Sequence, residues 1–338
     1  MPQCPDVSVA PNRASLLDPM GFRARWPWRG GDLQTLRNAI AEPKRDLSAW
    51  PHARLWLELG DGDALAAAWH AGGDAAKPAV VLIHGLTGCE DSAHVRLDAA
   101  FWLARGHGVL RLNLRGAAPS RPRCRGQYHA GRSGDLAAAL AALPAAVKDR
   151  GLFAVGYSLG GNMLLKYLGE EGRRAGFLAA CAVSAPIDLA SSSSRIHAGR
   201  NRPYHGYLLR RMKAEALAPP ADLTKEERAA LAAARTIRAY DDTVVAPRNG
   251  FAGVDDYYAR SSALGFLGAI RVPTLVVHAM DDPWIPDAPY RAFDWASNPA
   301  LTLAHTPGGG HCGFHAQDAP WPWHACAFAR FVDALSRS

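Results

Sequence analysis

Hydrophobic positions along this chain fall into short continuous runs separated by stretches with helical spacing. Ala79–Ile83 (AVVLI) is apolar throughout, and residues 108–114 (GVLRLNL), 152–155 and 177–183 are apolar at most positions. Runs of this length, bounded by Gly, Pro and polar residues, read as strands buried on both faces. Between them, residues 92–104, 134–143 and 159–168 space their apolar side chains as helices do. Strand and helix in alternation predict an α/β fold with a mostly parallel, doubly wound sheet. Upstream, residues 55–59 and 64–69 flank Gly60-Asp61-Gly62-Asp63, turn chemistry for a hairpin that adds an antiparallel N-terminal edge.

After Ser184-Ala185-Pro186 the alternation stops. The following segment holds Ser191 to Ser194, Arg-rich stretches and a helix over 224–234 that opens with the capping-box pattern Thr224-x-x-Glu227. Alternation resumes with a strand at 274–278 (TLVVH), a helix over 288–296, a strand at 301–304 and a closing helix Trp323–Leu335. An insertion this late in a doubly wound sheet predicts a lid. The expected division is an N-terminal extension (1–50), a first part of the core (51–189), a helical cap (190–270) and a second part of the core (271–338). The Pro-rich extension offers little core.

Composition narrows the class. With 338 residues, 49% hydrophobic and 20% charged, the chain can bury a large core without a covalent staple. Cys4, Cys89, Cys124, Cys181, Cys312 and Cys326 show no C-x-x-C pair and no regular spacing, which points to a reducing compartment. Pro, Asp and Arg interrupt the N-terminus before a signal-length apolar run develops, so the expected location is cytoplasmic. A net charge of +7, with arginines clustered at 121, 123 and 125 and again between 195 and 211, raises nucleic acid or an anionic membrane as partners. No aromatic interleaving supports base stacking, and the arginines read as a solvated surface with no nucleic-acid role. A transient lipid contact stays open.

Gly156-Tyr157-Ser158-Leu159-Gly160 is a G-x-S-x-G between a strand and a helix, the setting of a nucleophile elbow. A serine hydroxyl needs a base, and the base an orienting acid, in chain order Ser, acid, His. The turn after TLVVH carries Asp281 and Asp282, and Asp282 is preferred because Asp282-Pro283-Trp284-Ile285-Pro286 fits D-x-x-[VI]-P. Asp281 is the alternative. After the last strand, Gly308-Gly309-Gly310 presents His311 as the base, ahead of His305 and His315. A metal reading of His311 and His315 would need a helix that the glycines oppose. The oxyanion donors are expected to be the amides of Leu159 and, from His84-Gly85-Leu86-Thr87-Gly88, of Leu86. His84 reads as a brace for that loop. Neither a metal nor an organic cofactor is required.

With these motifs in place the chain resembles the YheT-like branch of the α/β hydrolases, the group that includes the EMB8 proteins and membrane-associated mammalian relatives. The resemblance runs from about residue 30 to 331. It rests on Leu33-Gln34-Thr35, HGLTG with the following Ser92, Asn113-Leu114-Arg115-Gly116, GYSLGGN, Asp241-Asp242-Thr243 through Gly250-Phe251 to Tyr257-Tyr258, DDP and GGHCGF. It implies an α/β-hydrolase fold and a Ser-Asp-His hydrolase of carboxylic esters, directed in some members at lipid or short-chain acyl esters. Asp32 departs from the pattern, since relatives commonly carry His before Leu-Gln-Thr.

The same triad would serve thioester cleavage or acyl transfer, and a noncatalytic ligand-binding protein could keep the fold. The cap supplies Tyr204, Tyr207, Leu208, Phe251, Tyr257 and Tyr258, read as packing residues ahead of pocket residues.

Overall fold

The computed structural model describes residues 21–40, 45–317 and 319–337, so Cys4 and the rest of residues 1–20 and 41–44 of the expected N-terminal extension lie outside the described residues. Eight strands form one sheet: β1 Ala53–Glu58, β2 Ala64–His70, β3 Ala79–Ile83, β4 Val109–Leu112, β5 Leu152–Tyr157, β6 Ala179–Val183, β7 Thr274–Ala279 and β8 Leu301–Thr306. Their order is β1-β2-β4-β3-β5-β6-β7-β8. β2 runs antiparallel to both β1 and β4, and every pairing from β4 to β8 is parallel.

All five residues of β3 are buried because helices cover both faces. Val81 and Ile83 enter one core with Leu136 and Met163, while Val80 and Leu82 enter the other with Phe101, Trp102 and Phe328. The two-residue period of a strand thus serves two cores at once, which is why no polar position interrupts the run. The first core receives the helices Ser133–Ala141 and Leu159–Glu171, the second Ala93–Ala104 and Trp323–Leu335.

Between β6 and β7 the chain builds helices, among them Leu189–His197, Arg202–Leu217, Lys225–Ala233 and Val254–Ser261. The sequence pattern identified one of these. Thr224 caps Lys225–Ala233 with both arms of the capping box present. The others are rich in serine, arginine, aspartate or tyrosine, residues of modest helix preference or high polarity that do not mark a helix locally. They owe their burial to the sheet and to one another, a case of packing overriding local preference. None of the described helices is long and apolar enough to cross a membrane.

β3 has β4 on one side and β5 on the other, so successive connections leave it in opposite directions. The crevice outside the carboxyl ends of strands at such a reversal is where open α/β sheets hold ligands. A buried ionic network anchors the β4 side of it. Arg115 pairs with Asp63 at 2.5 Å and with Asp135 at 2.8 Å, all three side chains being at most 10% exposed. Removing the guanidinium would take the buried positive charge from both carboxylates, leaving Asp63 the amides of Arg125 and Gly126 and Asp135 the half-buried Arg132. Arg115→Met is expected to lower the unfolding free energy by about 3–5 kcal/mol, read from the shift of a urea denaturation midpoint.

Candidate active site

β5 ends at Tyr157, and Ser158 follows with φ 51° and ψ −122°, a backbone region costly for a residue with a side chain. The flanking glycines make this turn possible. A Cβ on Gly160 would collide with the carbonyls of Ile83 and His84, and one on Gly156 would press on the Gly160 carbonyl. The Ser158 amide donates to the Val183 carbonyl at 2.8 Å, tying the turn to β6.

Two loops from the far edge of the parallel sheet converge on the hydroxyl. His311 Nε2 lies 2.9 Å from Ser158 Oγ, and His311 Nδ1 lies 2.9 Å from Asp282 Oδ2. The other oxygen of Asp282 accepts the amides of Trp284 and Ile285 at 2.8 and 3.0 Å, so the carboxylate is locked within its own turn. Trp284 stacks on the imidazole with ring centroids 4.4 Å apart. Burial alone would push the His311 pKa down, but the Asp282 carboxylate more than offsets this and holds it above the ordinary histidine value. Burial likewise opposes the charge on Asp282, yet the imidazole and the turn amides hold its carboxyl below the usual range.

The remaining candidates fall elsewhere. Asp281 Oδ1 accepts the Gly310 amide at 2.8 Å and braces the histidine loop instead of touching the ring. His315 Nδ1 meets Arg37 at 2.8 Å, away from any metal pairing with His311. His305 lies within β8. His84 bridges its own loop to the end of β4, with Nδ1 2.8 Å from the Gly85 carbonyl and Nε2 accepting the Leu114 amide at 3.0 Å. Burial lowers its pKa to about 4, so it stays neutral in that role. Leu86 and Leu159 both border the cavity above Ser158.

Sequence reasoning missed a latch from the N-terminal segment. The helix Gly31–Ile40 packs beside the histidine loop. Its fully buried Gln34 donates to the His315 carbonyl at 3.2 Å and accepts the His315 amide at 2.8 Å. Thr35 Oγ1 accepts the His311 amide at 2.8 Å. The only signal for these residues was Leu33-Gln34-Thr35, a motif without visible chemistry. Asp32 ties the latch to the cap through Arg200 at 2.7 Å and the Tyr204 hydroxyl at 3.1 Å.

A cavity of about 510 Å³ opens above Ser158 under the cap, a size typical of small-molecule sites. Tyr207, Leu208, Tyr257 and Tyr258 border it, and the last three are at the same time buried in the core, so these cap residues pack and line the cavity together. The cap folds over the crevice, and sequence spacing cannot register that. Three carboxyls also line the cavity, Asp91 at its exposed side and Glu215 and Asp241 deeper in. Tyr128 donates to Glu215 at 3.0 Å and Tyr258 to Asp241 at 2.7 Å. Burial pushes these two carboxyls up to about 7 despite these hydrogen bonds. The cavity therefore carries less negative charge at neutral pH than three ionised carboxylates would give it.

Comparisons with known proteins identify the family. Residues 78–317 match the family model described as alpha/beta hydrolase fold. The chain is 37% identical over 265 residues to the "Putative esterase YheT" of Escherichia coli, covering 76% of this chain and 77% of that protein. It is 29% identical to the monoacylglycerol lipase of Saccharomyces cerevisiae, over 77% of this chain and 60% of the lipase. A second yeast relative, the medium-chain fatty acid ethyl ester synthase/esterase 2, is 30% identical over 75% of this chain and 61% of its own length. The chain thus spans about three fifths of each yeast relative. Among solved structures, the Pyrococcus furiosus esterase Pf2001 superposes with a TM-score of 0.59 at 16% identity, over 85% of this chain and 92% of that one, a likeness of fold. The chain belongs to the α/β-hydrolase family, in its YheT-like branch of carboxylic ester hydrolases.

The latch carries a prediction. Gln34→Ala should leave the buried His315 amide without its acceptor, costing about 1–3 kcal/mol of stability in thermal denaturation. The loss of ester turnover should exceed the loss of folded protein, because the same loop presents His311.

Proposed function

We propose that Ser158, His311 and Asp282 act as nucleophile, general base and orienting acid in the hydrolysis of an uncharged carboxylic ester of short to medium chain length or lipid-like character. The observation that carries this reading is the unbroken series of contacts from Ser158 through His311 to Asp282 at the base of a capped cavity.

Ser158 Oγ attacks the ester carbonyl carbon while His311 Nε2 takes the hydroxyl proton. Asp282 keeps the ring in the tautomer whose Nε2 is free to accept and stabilises the imidazolium as it forms. The carbonyl oxygen becomes an oxyanion, held by the amides of Leu86 and Leu159, donors worth on the order of 10²–10³ in rate each. His311 then protonates the leaving alcohol, and water repeats the sequence on the acyl-enzyme. No step in this cycle calls on a cofactor.

The apolar walls and the raised pKa values of Glu215 and Asp241 favour an uncharged substrate. The names of the yeast relatives, a monoacylglycerol lipase and an ethyl ester synthase/esterase, point the same way. Transfer of the acyl group to an alcohol uses the same intermediate, and product analysis with water and ethanol as competing acceptors measures the partition. Cys89, Cys124, Cys181, Cys312 and Cys326 are free thiols, which suits the reducing cytoplasm expected for this chain.

A series of p-nitrophenyl esters from acetyl to palmitoyl should give a maximum below palmitoyl. Fluorophosphonate should label the wild-type protein and leave Ser158→Ala unlabelled, and labelling that persists in the variant would overturn the assignment. Because His311 must be neutral to accept the serine proton, kcat/KM should rise with pH to a plateau. Its acidic limb should lie above the ordinary histidine value. Asp282→Asn removes the charge that raises this pKa, so the limb should move to lower pH while kcat falls by roughly 10³–10⁴.

A further inference from the structure

Behind the acid turn, on the β7–β8 side, sits a cluster that the proposed ester chemistry leaves unused. His278 on β7 and His305 on β8 are neighbours across the parallel pairing. Asp287 belongs to the turn that also carries Asp282, and its carboxylate reaches between the two rings. His305 Nε2 is in hydrogen-bond contact with Asp287 Oδ1, and His278 Nε2 lies 3.9 Å from the same oxygen. One donor atom from each of the three residues lies within 4.8 Å of the others.

The chemistry of His278 is the anomaly. Its side chain is wholly buried, and neither ring nitrogen has a hydrogen-bond partner among the described residues. A buried imidazole normally satisfies at least one nitrogen, and an orphaned one points to a missing water or ion. Tyr290 stacks on the ring in parallel at 3.8 Å and fixes its plane, so the ring cannot easily turn away to find a partner. Asp287 retains 16% exposure, which gives access from solvent, while Arg291 holds its other oxygen, Oδ2.

We propose that His278, Asp287 and His305 form a binding site for a divalent transition-metal ion, Zn²⁺ by ligand type. Two imidazole nitrogens and a carboxylate oxygen are a usual protein set for zinc, with ligand distances of about 2.0–2.2 Å and a fourth position left for water. Tetrahedral coordination at that distance needs donors roughly 3.3–3.5 Å apart. The His305–Asp287 pair is closer than this, His278 Nε2 stands 3.9 Å from the Asp287 oxygen, and all three donors lie within 4.8 Å, so the adjustment falls to Asp287 and His305 around the fixed His278 ring. The ion would replace the proton shared by His305 and Asp287 and engage the orphaned nitrogen of His278. It takes no part in the ester reaction. It pins the turn bearing Asp282 to the ends of β7 and β8, a bracing role separate from catalysis.

The test uses the full chain after chelator treatment and desalting, titrated by calorimetry with Zn²⁺ alone. Co²⁺ is titrated in parallel, since its visible absorption reports tetrahedral coordination. The expected result is one equivalent of Zn²⁺ bound, a thermal midpoint that rises with metal concentration, and tetrahedral Co²⁺ bands. His305→Ala and Asp287→Ala, checked for folding by circular dichroism, should each weaken binding by at least the 10- to 100-fold known for lost outer-shell partners. Absence of binding to the wild-type chain would overturn the proposal and leave a buried water as the partner of His278. Binding that both variants retain would overturn it equally, by placing the ion on other side chains. If either variant fails to fold, the wild-type Co²⁺ spectrum decides, and octahedral or absent bands count against the site.

Discussion

At Ser158 the backbone sits at φ 51° and ψ −122°, a conformation that persists only where the surroundings leave the chain no alternative. Here the surroundings are β3 and β6. The carbonyls of Ile83 and His84 lie against Gly160, and Val183 accepts the Ser158 amide, so the turn is clamped between the strands on either side. The strain directs the hydroxyl out of the sheet to the side where the loop 84–88 and the histidine loop arrive. Relaxing it with a larger residue at 156 or 160 would move the nucleophile by more than a hydrogen bond tolerates.

The partners of Ser158 are held less directly. Asp282 is fixed by amides of its own turn, a local device. His311 depends on long-range ties to Asp281 through Gly310 and to Gln34 and Thr35 from the helix Gly31–Ile40. Through Asp32, Arg200 and Tyr204 the same helix reaches the cap. The base, the N-terminal segment and the lid are thereby mechanically linked, and a change at any one of them reaches the imidazole before it reaches the serine.

Burial sets the electrostatics of the site in two opposite ways. For His311 the adjacent carboxylate outweighs desolvation, and the ring stays readily protonated. For Glu215 and Asp241 a tyrosine hydroxyl and the nearby arginines oppose desolvation without overcoming it, and the carboxyls rise to about 7. The same low-polarity environment thus strengthens the pull of Asp282 on the imidazole at the reacting end and leaves Glu215 and Asp241 less charged than exposed carboxyls would be.

The amino-acid sequence alone determined the fold class, because strands buried on both faces must be continuously apolar and the helices between them must be amphipathic. It also singled out Ser158 and His311, with Asp282 preferred and Asp281 left open, because a sharp turn demands glycines and the order of strands dictates where the acid and base can follow. Tertiary structure decided the rest. Which of two adjacent aspartates faces the ring depends on turn geometry, which the dipeptide does not reveal. Gln34 and Thr35 act on a loop nearly three hundred positions away. Four aromatic and aliphatic cap residues face the cavity, because the lid folds back over the sheet. His278, Asp287 and His305 meet because two parallel strands align in register beside one turn. Periodicity and local motifs record what a residue's near neighbours require, and these contacts are made between residues that only chain closure brings together.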